Sequence, residues 1–216
     1  MKMKVNIPVM ARNRELAGQN RRTFEMNGVF AVNIISSPGA GKTSLLEALA
    51  GILGSGLAVI EGDVKTDRDA ARIRKAGCRA VQIETGGACH LDAGSVRKAF
   101  MKLDRSTPFG ILAIENVGNL ICPSAYDLGE HMKIGMLSLP EGDDKVLKYP
   151  SLFSGIHVLI LSKTDLSRFM DFDMERAEKE CRSLNPGVRV FRVSARTGEG
   201  IGELADYLLA KAGERR

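Results

Sequence analysis

Short apolar runs recur along the chain, and each is followed by a glycine-containing or polar loop and then by a stretch with helical spacing. The run opening at Ala31 predicts a buried strand that leads straight into a loop and a helix, AVNIISSPGAGKTSLL. Further strands are predicted at Leu57 to Glu61, Ala80 to Glu84, Phe109 to Glu115, Lys133 to Leu139, His157 to Leu161 and Val188 to Val193. Helical patterns cover Asp67 to Gly77, Asp92 to Leu103, Asp173 to Leu184 and Gly200 to Lys211. Strands that alternate with helices over the whole length imply an α/β, doubly wound, mostly parallel sheet flanked by helices. Pro8 to Gly28 is polar and punctuated by Val9, Leu16 and Phe24, which predicts a surface helix packed on the main domain. The division expected is therefore an N-terminal helix over 1–30 and one α/β domain over 31–216.

Composition narrows the class. The 216 residues suffice for one well-buried domain, and 44% hydrophobic with 26% charged residues is ordinary for a soluble protein. The net charge of +5 is dispersed among acids on helical stretches, and aromatic residues make up only 5% with no Trp, so no nucleic-acid surface is expected. Lys2 and Lys4 precede no signal-length apolar core. The run Ala48 to Ile60 is broken by Gly54-Ser55-Gly56, short of the roughly 20 residues of a membrane span. A cytoplasmic protein with no membrane association and reduced cysteines is expected.

The first loop carries the strongest chemistry. Gly41, Lys42 and Thr43 fit the phosphate-loop pattern GxxxxGK[ST], with Ser36 standing where its first glycine is expected. Small residues let the backbone N–H groups of Gly39, Ala40, Gly41 and Ser44 turn towards phosphate. Lys42 adds a point charge, and the Thr43 hydroxyl reaches Mg²⁺. Ser36 carries a risk, because it must accept a conformation that glycine adopts freely.

Guanine is favoured over adenine by two later loops. Ser162-Lys163-Thr164-Asp165 is close to N-K-x-D, and the Asp165 carboxylate can accept from both N1–H and N2–H₂ of guanine, groups that adenine lacks. Ser194-Ala195-Arg196 resembles the loop whose backbone N–H meets the guanine carbonyl.

Among the cysteines and histidines, Cys181 falls in an apolar helical stripe with Met174, Ala177 and Leu184 and reads as core. Cys78 shows no nearby partner, His157 reads as a structural residue, and His131 is uninformative. Cys89 and His90 lie in a glycine-rich loop on the same strand-end side as Cys122, which admits either a metal site or none, because paired CxxC spacing is absent. Adjacent side chains tend to diverge, so Cys89, His90 and Cys122 are expected to leave a metal incompletely held within one chain. Thiolate and imidazole suit tetrahedral Zn²⁺ and square-planar Ni²⁺ alike.

Taken together, SSPGAGKTS, EGDVKTDRDA, GGACHLDAG, ENVGNLICP, SKTD and SAR resemble the hydrogenase nickel incorporation GTPases called HypB, from about Ala31 to the C-terminus. The resemblance implies a G domain that dimerises on GTP, slow GTP hydrolysis, and nickel delivery to a hydrogenase large subunit with a small zinc-containing partner chaperone. It places Mg²⁺ on Thr43, Asp63 and Glu115, makes Asp67 the second acid of the switch I loop, and sets Gly118 to meet the γ-phosphate. It makes Cys89, His90 and Cys122 a nickel or zinc site. Asn119 stands where small GTPases often carry a catalytic Gln, which implies slow turnover. The sister urease nickel-insertion GTPases carry Cys-Pro-His where this chain reads Cys-His. Other readings are a urease-type GTPase, a small-molecule kinase on the same fold, and an interaction GTPase without metal.

Overall fold

The computed structural model describes residues 6–63 and 68–214. Seven strands, β1 (Phe30–Ser36), β2 (Leu57–Asp63), β3 (Arg79–Glu84), β4 (Ile111–Glu115), β5 (Met132–Ser138), β6 (Val158–Ser162) and β7 (Arg189–Val193), form one sheet in the order β3-β2-β4-β1-β5-β6-β7. Every neighbouring pair is parallel, so "mostly parallel" becomes fully parallel. A parallel sheet is covered on both faces, which is why β1, β4 and β6 are buried throughout and read as continuous apolar runs.

The helices are α1 (Asn6–Met26), α2 (Lys42–Leu53), α3 (Arg68–Lys75), α4 (Ala93–Lys102), two single turns α5 (Lys145–Lys148) and α6 (Pro150–Phe153), α7 (Met174–Leu184) and α8 (Ile201–Gly213). On one face, Val32 and Ile34 of β1 pack with Leu45 and Leu49 of α2, Ile73 of α3 and Leu204 of α8. On the other, Ala31 packs with Phe24 of α1 and Val96 of α4, while Ile35 packs with Leu152, Phe153 and Cys181. The alternation of Ala31 and Ile35 against Val32 and Ile34 follows from the two-residue period of a strand. All seven strands end at the same edge of the sheet, where ligands bind in open α/β folds, and every predicted site loop departs from that edge.

Helix α1 differs from its expected packing. Val9 is 56% exposed and Leu16 only half-buried; the inward face is Asn13, Ala17, Asn20 and Phe24. Two buried asparagines replace the apolar stripe, and their amides are tied to backbone groups of the main domain. Asn13 donates to the Asp127 carbonyl at 2.8 Å and accepts from the Ala93 N–H at 2.9 Å, while Asn20 donates to the Ala93 and Leu128 carbonyls at 2.8 and 2.9 Å. The helix stops at Gly28, whose φ of +67° lets the Val29 and Gly28 N–H groups close back on the Phe24 and Glu25 carbonyls.

Candidate functional site

Between β1 and α2 the loop 37–41 turns through two left-handed glycines, Gly39 (φ +74°) and Gly41 (φ +98°). Ser36 is the last residue of β1 and lies outside the positive-φ region, so the conformational risk at that position is removed. Its buried hydroxyl accepts from Lys42 Nζ at 3.0 Å and donates to the Ser37 carbonyl at 2.8 Å. Helix α2 begins at Gly41 without a side-chain cap, leaving its first N–H groups and the positive end of its dipole open to an anion. Ala40 is fully buried, so that loop is fixed from behind.

Lys42, Thr43, Glu61, Asp63, Asp69, Arg72, Glu115 and Gly118 surround a recess of about 580 Å³ beside that helix end. Thr43 Oγ1 donates to Glu115 Oε1 at 3.0 Å, whereas Glu115 Oε2 is buried with no hydrogen-bond partner among the described residues. Burial pushes the Glu115 carboxyl up to about 7, only partly opposed by the Lys42 charge and the Thr43 hydroxyl. Burial also lowers the Lys42 ammonium from its usual range, partly opposed by Glu115. An orphaned carboxylate oxygen beside a threonine hydroxyl suits a hard divalent cation that prefers oxygen ligands. Gly118 lies so close to the loop that an added Cβ would stand 2.8 Å from Pro38 Cα. Asp67 lies outside the described residues.

Asn119 does not face the recess as a free amide. Its Oδ1 accepts from the Ile121 and Cys122 N–H groups at 2.8 and 3.4 Å, so it shapes the turn that presents Cys122.

A second recess, about 610 Å³, adjoins the first at Gly41, Ser44 and Lys163. Lys163 holds φ +62°, the sole positive φ outside glycine among the described residues, and its Nζ donates to the Gly39 carbonyl at 2.7 Å. Ser162, in place of the pattern's Asn, still ties this strand end to the phosphate loop by donating to the Ala40 carbonyl at 2.9 Å. Asp165 Oδ1 accepts from the buried Ser194 hydroxyl at 2.7 Å, which orients the carboxylate at the recess wall beside Ala195.

The third group stands apart from both recesses. Left-handed Gly86 and Gly87 curl the loop after β3, and Cys89 Sγ comes 3.4 Å from His90 Nδ1. The expected divergence of these adjacent side chains is thus overturned. Tyr126 packs on the His90 ring at 3.8 Å between centroids and holds it in place. One donor atom from each of Cys89, His90 and Cys122 lies within 4.8 Å of the others. Metal bonds of about 2.0–2.3 Å separate neighbouring donors of a tetrahedral ion by about 3.5 Å, so the group fits one ion. Burial lowers the His90 imidazole, favouring its neutral, ligating form, and a hydrogen bond with the neighbouring Cys89 pushes the Cys122 thiol up. The other cysteines are structural: Cys78 donates to the Gly54 carbonyl at 3.1 Å, and burial pushes Cys181 up to about 11. His131 stacks on Phe30 and accepts from the Ala31 N–H, while His157 accepts from the Lys133 N–H.

Glu61, Asp69 and Asn116 lie inside the motifs EGDVKTDRDA and ENVGNLICP but receive no individual role from them, and Arg72 lies outside the motifs. Glu61 pairs in register with Glu115, and Asn116 follows Glu115 directly, so the adjoining motif residues were the available signal.

A phosphate-loop motif after the first strand, an oriented carboxylate at the wall of an adjoining recess and seven parallel strands define a P-loop GTPase domain, here with a Cys/His group at its edge. Residues 30–192 match the model of the CobW/HypB/UreG nucleotide-binding domain. The chain is 48% identical to the hydrogenase maturation factor HypB of Azotobacter vinelandii, over 99% of this chain and 71% of that one. It superposes on HypB of Helicobacter pylori, solved in complex with nickel, with a TM-score of 0.90 at 40% identity, covering 94% and 96% of the two chains. HypB of Archaeoglobus fulgidus gives 0.84 at 36% identity, over 94% and 99%. The chain belongs to the HypB hydrogenase maturation factors of the CobW/HypB/UreG family. No helix among the described residues is long and apolar enough to cross a membrane.

Proposed function

We propose that this chain is a slowly hydrolysing, GTP-switched metallochaperone of the cytoplasm that assists nickel insertion into a hydrogenase large subunit with a small partner chaperone. The observation that carries the reading is the union of two sites on one segment. Glu115 and Gly118 face the phosphate recess, and Cys122 of the same stretch joins Cys89 and His90.

In this reading GTP lies along the two adjoining recesses. Asp165 accepts from guanine N1–H and N2–H₂, and the N–H of Ala195, on the loop opened by Ser194, donates to the base carbonyl. Lys163 supports the base through its aliphatic stem and braces the phosphate loop. Gly39, Ala40, Gly41 and Ser44 present N–H groups to phosphate, and Lys42 moves from Ser36 to the β- and γ-phosphates. Thr43, Asp63 and Glu115 would hold Mg²⁺, which neutralises developing phosphate charge. Hydrolysis breaks the bond between the γ-phosphorus and the β,γ-bridging oxygen as water adds to phosphorus, giving GDP and phosphate. Asp63 or Asp67 positions that water. Asn119 is committed to the Cys122 turn, which supports slow turnover.

The nickel cargo, or Zn²⁺ in its place, is held by Cys89, His90 and Cys122. Three donors leave a tetrahedral or square-planar ion a place short, and Ile121 beside Cys122 is 65% exposed, which supports completion across a GTP-dependent homodimer. Native mass spectrometry with GDP and with a non-hydrolysable GTP analogue, each with and without Ni²⁺, tests the reading. A nickel-loaded dimer formed with the analogue is expected. The same oligomer in both nucleotide states overturns the switch, and a metal count unaffected by Cys89→Ala overturns the site.

A further inference from the structure

Five buried polar side chains, Asn13, Asn20, Asn33, Asn116 and Glu130, have no part in the nucleotide and metal contacts proposed above. Asn116, fully buried between Glu115 and Val117, is the centre of their hydrogen bonding. Its Oδ1 accepts at once from the Leu91 N–H at 3.1 Å and from the Val117 N–H at 3.0 Å. Its Nδ2 donates to Asn33 Oδ1 at 3.1 Å, Asn33 donates to Glu130 Oε1 at 3.3 Å, and Glu130 Oε2 accepts from the Leu128 N–H at 2.7 Å. The bonds continue through α1, since Asn20 joins the Leu128 carbonyl to that of Ala93, and Asn13 joins Ala93 to Asp127.

Two consequences follow for Leu91, the residue after His90. Its backbone shares one acceptor oxygen with the backbone of Val117, the residue before Gly118. Its side chain is pressed on Gly62, where an added Cβ would lie 2.8 Å from Leu91 Cδ2, and Gly62 precedes Asp63. Leu91 is therefore gripped between the two strand ends that face the phosphate recess. Ala93 is held by the two asparagines of α1, on the side away from the nucleotide.

We infer that Asn116 is the positioning residue through which nucleotide state sets the geometry of the Cys89, His90 and Cys122 group. Its single carbonyl oxygen ties the backbone beside Gly118 to the backbone beside His90, so the two cannot shift independently. Asn33 and Glu130 fix the orientation of that amide, and α1 supplies the fixed end against which Leu91 moves. The Leu91 N–H is buried and has the Asn116 oxygen as its acceptor, so a displacement of Val117 that draws this oxygen with it either carries Leu91 along or leaves the buried Leu91 donor unsatisfied.

This inference rests on the GTP-switched reading, and the experiment separates the two. Ni²⁺ affinity of the full chain is measured by competition with a chromophoric chelator, in GDP and in Mg²⁺ with a non-hydrolysable GTP analogue. The wild type should show a difference of about 5- to 150-fold between the two states. In Asn116→Leu that ratio should fall to within about twofold of unity; a uniform loss in both states leaves the ratio unchanged and counts against the inference. Equal affinities in the wild type overturn the switched reading itself, and with it this role. A wild-type difference retained in Asn116→Leu overturns the role of Asn116 alone. Hydrogen exchange on the wild type gives a second readout that needs no variant. The Leu91 and Val117 amides should change protection together between the two nucleotide states, and a change at Val117 with none at Leu91 overturns the inference.

Discussion

Replacing Glu115 by glutamine in the nucleotide-free and metal-free protein should make the chain more stable at alkaline pH and leave the advantage absent in acid. Glu115 is buried beside Thr43, and its carboxyl rises from an ordinary 4.5 to about 7 in the folded state. In the interval between those values the folded protein keeps a proton that the unfolded chain has lost, so this group's contribution falls as pH rises through the window and is constant on either side. A shift of that size is worth about 3 kcal/mol at 1.36 kcal/mol per pKa unit. The amide introduced by Glu115→Gln carries no proton equilibrium, so the stability of the variant minus that of wild type should increase by about 3 kcal/mol from about pH 4.5 to about pH 8. The Glu130 carboxyl is also raised by burial, but it is present in both proteins and cancels in the difference. Urea denaturation in excess chelator at several pH values measures it. A difference that stays flat across the window would show that Glu115 is not desolvated, removing the argument that the recess is built for a cation.

Asp165→Asn should lower GTP affinity roughly 10- to 150-fold, the worth of hydrogen bonds to a charged group, and should relax discrimination against xanthine nucleotides in a competition assay. Gly118→Ala would place a methyl group 2.8 Å from backbone atoms of Pro38, so affinity for a GTP analogue should fall about tenfold or more while circular dichroism stays native. Cys89→Ala should abolish stoichiometric Ni²⁺ binding in equilibrium dialysis. Cys181→Ala, at a fully buried position, should keep the metal and lose roughly 1 kcal/mol of stability.

What was legible in the sequence was what is local. The phosphate loop, Lys163 to Asp165 and the Ser194 loop each follow a buried strand, and parallel pairing carries them to one edge without further information. Strand limits shifted by a residue or two because β1, β4 and β6 are apolar on both faces and have no alternation to mark their ends. The single turns α5 and α6 are too short to show a helical period. The convergence of Cys89 with His90 was hidden because it depends on Gly86, Gly87 and the ring of Tyr126, which comes from a different loop. Asn116 and Glu61 were hidden for the opposite reason: polar residues at a strand end read as the place where burial stops, whereas here burial continues and the polar groups lie among neighbouring strand ends.

The asparagine contacts of α1 fix its docking in a way that grease would not. Apolar burial is indifferent to direction, so a helix seated on a leucine stripe can slide or roll by a fraction of a turn at small cost. Hydrogen bonds of 2.8–2.9 Å to both the N–H and the carbonyl of Ala93 allow no such play, since a slip of one residue forfeits them together. Helix α1 therefore behaves as an indexing pin. A foreign helix matched to it by hydrophobic pattern, with Val9, Leu16 and Phe24 in place, would copy residues of which one is largely exposed and omit the two amides that set the register.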